Sequence, residues 1–261
     1  MPTRPPLPKC SRNLRKVFLL LLALGGCAAS HAPPFATVPY APFSRSAAVA
    51  IATDEWRLWG SCVGEVPDYT QTAATMGERQ QGLWQRVGEY WWEGMNAGTP
   101  EARWAGKYNA QGKIFPVAVN GQYAWSAAFI SYVMRMAGAG SAFPYAASHS
   151  HYINYAARAA EGNIAHPLLI AENPATYAPR LGDLACFGRD NARSLTFADL
   201  PTKSNFPSHC GIIVGGRPGQ IDMIGGNVQD AVVLEHVKAD SQGRLTGKYW
   251  LAVLRVLYQR A

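Results

Sequence analysis

Beyond Gly182 the chain breaks into short β-type runs, and this meander limits the possible folds more than any other feature. The runs cover 183–187, 209–214, 220–224, 231–237 and 249–256 and are separated by Gly-rich turns. Strands of this kind need one face covered by apolar side chains, and the preceding residues supply the cover. Residues 46–59 are helical in pattern, and within 78–97 Leu83, Val87, Tyr90 and Trp91 recur at helical spacing. A third helix starts at Trp125, carries Phe129, Tyr132, Val133 and Met136 on one stripe and stops at Gly138, a favoured residue just past a helix end. A fourth is predicted over 148–160, whereas 98–122, rich in Gly, Asn and Lys, reads as loop. Helices followed by a meander of about five strands give an α+β fold with an antiparallel sheet. No internal repeat and no phosphate-cradling Gly loop in a strand-loop-helix setting is present.

Composition removes whole classes of function. The 261 residues are 48% hydrophobic and 16% charged, too apolar for a disordered chain. The net charge of +7 suggests nucleic acid, but five of the 24 basic residues (Arg4, Lys9, Arg12, Arg15, Lys16) lie before residue 27, where there are no acidic ones. The remainder carries 19 basic against 17 acidic residues and lacks the electrostatic footprint of a nucleic-acid binder.

Those five charges belong to an address. They lead into the apolar run from Val17 to Leu24, too short to span a bilayer as a helix, and then into small residues, the layout of an export signal. Leu24-Gly25-Gly26-Cys27 resembles the bacterial lipobox, which implies acylation of Cys27; an ordinary secretory signal cleaved near Ala29 is the alternative. Ala28, rather than Asp, after the Cys implies an outer-membrane anchor facing the periplasm if the cell is Gram-negative. The expected organisation is a signal peptide over 1–26, a lipidated Cys and Pro-rich tether over 27–45, and one domain over 46–261. Export permits disulfides. Of Cys62, Cys186 and Cys210, the pair Cys186–Cys210 is favoured because both fall in adjacent predicted strands; an unpaired core Cys is the alternative.

Four pieces in order carry the chemistry: Ala124-Trp125-Ser126-Ala127-Ala128-Phe129-Ile130-Ser131, then Leu181-Gly182-Asp183-Leu184, then Ser208-His209-Cys210-Gly211-Ile212-Ile213-Val214, then Ile224-Gly225-Gly226-Asn227. Together they resemble the CHAP and NlpC-type branch of the papain-like superfamily, many of whose members are amidases or peptidases of bacterial peptidoglycan. The resemblance covers about 120–256, and the upstream part resembles an uncharacterised bacterial family within that superfamily. It implies a papain-like fold with N-terminal helices packed on the sheet. It also implies catalytic roles for Ser126 as nucleophile, His209 as base and Asn227 as the group orienting the imidazole, with substrate contacts from Gln122 and Tyr123 just upstream; His149 is a further candidate for substrate contact from its own place at the start of the fourth predicted helix. A nucleophile in the first turn of a helix meets free N–H groups and the positive end of the helix dipole, which stabilise its anion and can hold an oxyanion.

Two positions depart from the pattern. The superfamily's Cys is Ser126, whose hydroxyl must lose its proton to a base during attack. Gly225 stands where some relatives carry Glu, which leaves orientation to Asn227, or to Asp222 in a different strand register.

Each choice has a structural alternative. Ser is common at helix starts, a lone His before an apolar strand is often a satisfied core residue, and Asn after two glycines is a good turn former. His149 and His151 lack a further ligand cluster at metal spacing, so no metal or cofactor is expected, and one of them lines the cleft or caps its helix. Trp91, Trp92 and Trp104 read as core packing rather than sugar-stacking platforms. The functional expectation is an envelope lipoprotein that hydrolyses amide bonds in peptidoglycan peptides. The alternatives are a catalytically inactive module that binds peptidoglycan or a partner protein, and an esterase or acyl transferase on the same fold.

Overall fold

The computed structural model describes residues 38–65 and 77–257. The signal segment, Cys27 and most of the Pro-rich tether lie outside the described residues, so the expectations placed on them are untouched here.

The first helix, α1 (Arg45–Leu58), is started by the Ser44 hydroxyl, which accepts from the Ala47 N–H. It buries Ala48, Ala52 and Glu55, a single face at spacings of four and three. Helix α2 (Leu83–Gly94) turns Val87, Tyr90 and Trp91 inward, and α3 (Ser126–Met136) is buried from Ser126 through Met134. A buried polar network ties the first two helices together. Glu55 pairs with Arg86 and accepts from the Tyr90 hydroxyl at 2.5 Å, while Trp59 Nε1 donates to that same hydroxyl at 2.9 Å. Every member has a partner, as a buried charge requires. Of the three tryptophans assigned to the core, Trp91 is buried and packs edge-on against the partly buried Trp104, while Trp92 is 51% exposed.

The predicted strands all form, with small shifts of their ends, as β3 (Leu184–Gly188), β4 (Ser208–Arg217), β5 (Gln220–Val228), β6 (Ala231–Lys238) and β7 (Trp250–Val256). The sheet has seven strands rather than five, because two short ones join its edges: β1 (Val63–Glu65) and β2 (Leu169–Glu172). The order is β1-β6-β5-β4-β3-β7-β2. All neighbours are antiparallel except β1, which runs parallel to β6. Helix α4 (His149–Ala160) packs near β2 and completes the helical layer.

The two faces of the sheet hold separate apolar clusters. Leu184, Cys186, Cys210, Ile212 and Ile224 meet the helices, whereas Ala185, Phe187, Ile213, Met223 and Val237 form a second cluster with Trp250. Cys186 and Cys210 are directly opposite across β3 and β4 and are joined by a disulfide; Cys62 is exposed and unpaired. Asp183 of the Leu-Gly-Asp-Leu piece is fully buried. Its carboxylate accepts from Arg45 Nη2 (2.6 Å), the Tyr177 hydroxyl (2.9 Å) and the backbone N–H groups of Arg180 (2.9 Å) and Val256 (3.0 Å). It thus binds α1, the start of β3 and the end of β7 into one corner.

Candidate active site around Ser126 and His149

Ser126 opens α3, and the first intrahelical bond runs from the Phe129 N–H to the Trp125 carbonyl at 2.9 Å. No side chain caps this end, so the N–H groups ahead of that bond are left for whatever enters the cleft. Trp125 anchors the turn from below, donating its indole N–H to Glu78 Oε2 at 2.7 Å in a buried contact. Burial raises the Glu78 carboxyl to about 7 despite that bond.

The partner of Ser126 is His149. Its Nε2 lies 2.6 Å from the serine Oγ, within reach for direct proton transfer. His149 is itself the first residue of α4, whose Ser148 cap makes no side-chain bond to the helix backbone and instead meets the Ser150 hydroxyl at 2.8 Å. Two helix N-termini therefore converge on one Ser–His pair. Burial holds the His149 imidazole well below its usual basicity, with the charges of His209 and Arg189 acting in the same direction. At neutral pH the ring is uncharged and able to accept a proton. Its Nδ1 is buried without a hydrogen-bond partner.

His209 stands behind His149, the ring centroids 5.3 Å apart, and does not contact Ser126 through a hydrogen bond. It lies on β4 opposite Phe187, and burial, assisted by Arg189, lowers it to about 3. Its Nε2 is also buried without a partner. That nitrogen faces Gly225: a Cβ on Gly225 would come within 2.8 Å of His209 Nε2 and 3.1 Å of Glu235 Oε2. The absence of a side chain at 225 thus lets an imidazole from β4 and a carboxyl from β6 face the same small space. Glu235 Oε2 has no partner either, and burial raises this carboxyl to about 8. The other glycine of the pair, Gly226, admits Phe129 of α3 against the strand, where a Cβ would sit 2.5 Å from its ring stem.

The remaining sequence-derived positions divide. Asn227 sits in the irregular end of β5 with φ +56 and lines the cleft, but neither unpartnered ring nitrogen, His149 Nδ1 nor His209 Nε2, receives a bond from it. Asp222 pairs instead with His236 Nδ1 at 2.8 Å, away from Ser126. Tyr123 stacks on Phe115 at 4.0 Å and meets Trp104 edge-on, and Gln122 is exposed; neither lines the cleft in front of Ser126. The residues of that segment that do line it are Asn120, Gly121 and Ala124. Glu235 was not anticipated, although its position carried a signal: it alternates with Val233 and Val237 on a face that should be apolar.

The cleft before Ser126 has a volume of about 550 Å³, and Ser126, His149, Arg189, Asn227 and Asp230 are among the residues that line it. Among the described residues no group of three or more His, Cys, Asp or Glu is placed to hold a metal ion. Chemically, the arrangement offers a hydroxyl nucleophile, an uncharged imidazole touching it, and backbone donors at a helix N-terminus.

The family model described as "Uncharacterized protein conserved in bacteria (DUF2272)" matches residues 78–256, which include Glu78, both imidazoles, Ser126 and Glu235. No curated protein and no solved structure matches the chain.

Proposed function

The chain belongs to that conserved bacterial family, and from the geometry of its cleft we propose that it is a serine hydrolase with Ser126 as nucleophile and His149 as general base. The observation that carries this reading is the 2.6 Å contact between Ser126 Oγ and His149 Nε2 in the lining of a cleft and at the start of a helix. In the first step the Oγ proton passes to His149 Nε2 as Oγ attacks a carbonyl carbon. The resulting oxyanion faces the N–H groups of the first turn of α3. His149 then returns the proton to the leaving amine, and water, deprotonated by the same nitrogen, releases the acyl group from Ser126.

The substrate proposed is the amide bond of peptidoglycan peptides. The order of the four motif pieces supports this, as does the export and lipobox pattern ending at Cys27, which suits a lipid-anchored protein working at the envelope. His209 and Glu235 form a second tier behind the base.

One observation favours the rival reading, a cleft that binds without turnover: His149 Nδ1 has no carboxylate or amide to stabilise its protonated form. Mass spectrometry of muropeptides released from intact sacculi separates the two. Hydrolysis predicts new fragments with the wild-type protein and none with Ser126→Ala; saturable binding to sacculi with no fragments from either protein would establish the rival. Ester reporters cleaved in place of sacculi would move the substrate to esters while keeping the Ser126 chemistry.

A further inference from the structure

A second cavity of about 500 Å³ adjoins the cleft, and the two share Arg189, Asn227 and Gln229 as lining residues. Its charge differs from that of the cleft. The cleft wall combines Arg189 with Asp190 and Asp230, whereas the second cavity has Arg189 and Arg193 and no acidic residue. Neither guanidinium forms an ion pair among the described residues. The other walls are apolar or aromatic, from Phe187, Val228 and Tyr249, and the buried imidazole of His209 forms part of the lining.

The two arginines are brought to this place by the chain and not by chance exposure. Gly188 ends β3, and a Cβ there would lie 2.0 Å from the Ala192 carbonyl oxygen, so only glycine lets the 189–193 turn fold back this tightly. The Arg189 N–H is fixed to the Pro207 carbonyl at 2.9 Å, and the Ala192 N–H closes the turn on the Arg189 carbonyl at 2.7 Å. Arg189 is near enough to both imidazoles for its charge to oppose their protonation. A guanidinium matches a carboxylate with two parallel N–H donors, and a pair of them beside aromatic walls suits an anionic group on an apolar body.

We propose that this second cavity is a subsite for a free carboxylate carried by the substrate, held by Arg189 and Arg193 while the bond to be cut lies before Ser126. The inference deepens the hydrolase reading and rests on it for the position of the scissile bond. The same carboxylate chemistry could come from a peptide or from an acyl chain, and the cavity assigns the group rather than its bearer.

The test is equilibrium binding to the full-length protein carrying Ser126→Ala, which removes turnover from the measurement. The probes are N-acetyl-alanyl-alanine, its C-terminal amide, octanoate and inorganic phosphate. The expected result is at least a tenfold preference for the free acid over the amide, lost in Arg193→Ala and partly kept in Arg193→Lys. Arg193 is exposed, and unchanged thermal melting of these variants separates lost binding from lost folding. If octanoate alone shows the Arg193-dependent binding, the carboxylate site stands and its source is an acyl chain. Equal affinity for acid and amide with no Arg193-dependent octanoate binding, a preference indifferent to Arg193, or phosphate binding as well as the carboxylates would overturn the assignment. A carboxylate preference that survives while the wild-type protein cuts nothing would sink the hydrolase reading and leave the subsite.

Discussion

Two carboxyl groups buried in the same sheet have opposite surroundings. Asp183, at the start of β3, has an arginine, a tyrosine hydroxyl and two backbone N–H groups on its oxygens. Glu235, in the middle of β6, has an oxygen with no partner at all, facing an imidazole nitrogen that has none either across the gap at Gly225. A saturated buried charge is how a fold secures a corner. An unpartnered carboxyl, kept protonated by burial, is costly to keep, and groups of this kind gather at working sites. The contrast extends to the helices, where the Glu55–Arg86–Tyr90 network is fully paired while His149 Nδ1 is not.

That contrast can be broken from either side. Removing the saturated carboxyl has the largest expected effect: Asp183→Ala takes the acceptor away from the Tyr177 hydroxyl and two backbone donors and the countercharge away from Arg45, and loses about 3–5 kcal/mol of unfolding free energy in denaturant titrations. A loss below about 1 kcal/mol would show that the corner is held by packing alone. Gly225→Ala comes next. Its Cβ enters the space between His209 Nε2 and Glu235 Oε2, and overpacking of this kind costs about 1–3 kcal/mol. Turnover should fall with it, measured at a temperature where the variant is still folded; full activity would mean that the second tier does not matter to the first.

The pH dependence of stability sharpens the comparison most. The folded-state value for Glu235 is raised to about 8 from an ordinary 4.5, so folding holds a proton that the unfolded chain gives up earlier. Its contribution is fully present below about pH 4.5 and is lost as the pH rises through about 8. Glu235→Gln, which cannot ionise, should therefore gain stability relative to the wild type across that window, and parallel stability curves would show that Glu235 is paired in solution. His209 acts oppositely: lowered to about 3, it withdraws stability as the pH falls below 6.5.

Much of the fold was legible in the sequence because its signals are local. The β-type runs after Gly182 became β3 to β7, and the stripe from Phe129 to Met136 became the buried α3. The edge strands escaped because Val63–Glu65 and Leu169–Glu172 are too short to show a period. They exist through their neighbours, β6 some 170 residues away for the first and β7 for the second. The site was legible in part for the same reason. Ser126 is marked by its place at a helix start, but which imidazole reaches it depends on how α4 is set against α3, and no spacing encodes that. His209, the natural choice from the order of the motif pieces, stands one ring further back, while His149, read as a cleft residue, makes the contact. Tyr123 was lost to the cleft because the 3-10 winding of 117–123 stacks it on Phe115.

The central claim is that Ser126 is activated by His149 and not by His209. It is tested most directly by labelling the protein with a fluorophosphonate, which bonds only to an activated serine, and mapping the modified residue by mass spectrometry. The account predicts a single adduct on Ser126 in the wild type, its loss in His149→Gln with the fold intact, and its retention, at a reduced rate, in His209→Gln. An adduct that survives His149→Gln, or a wild-type protein that never labels at Ser126, would contradict it.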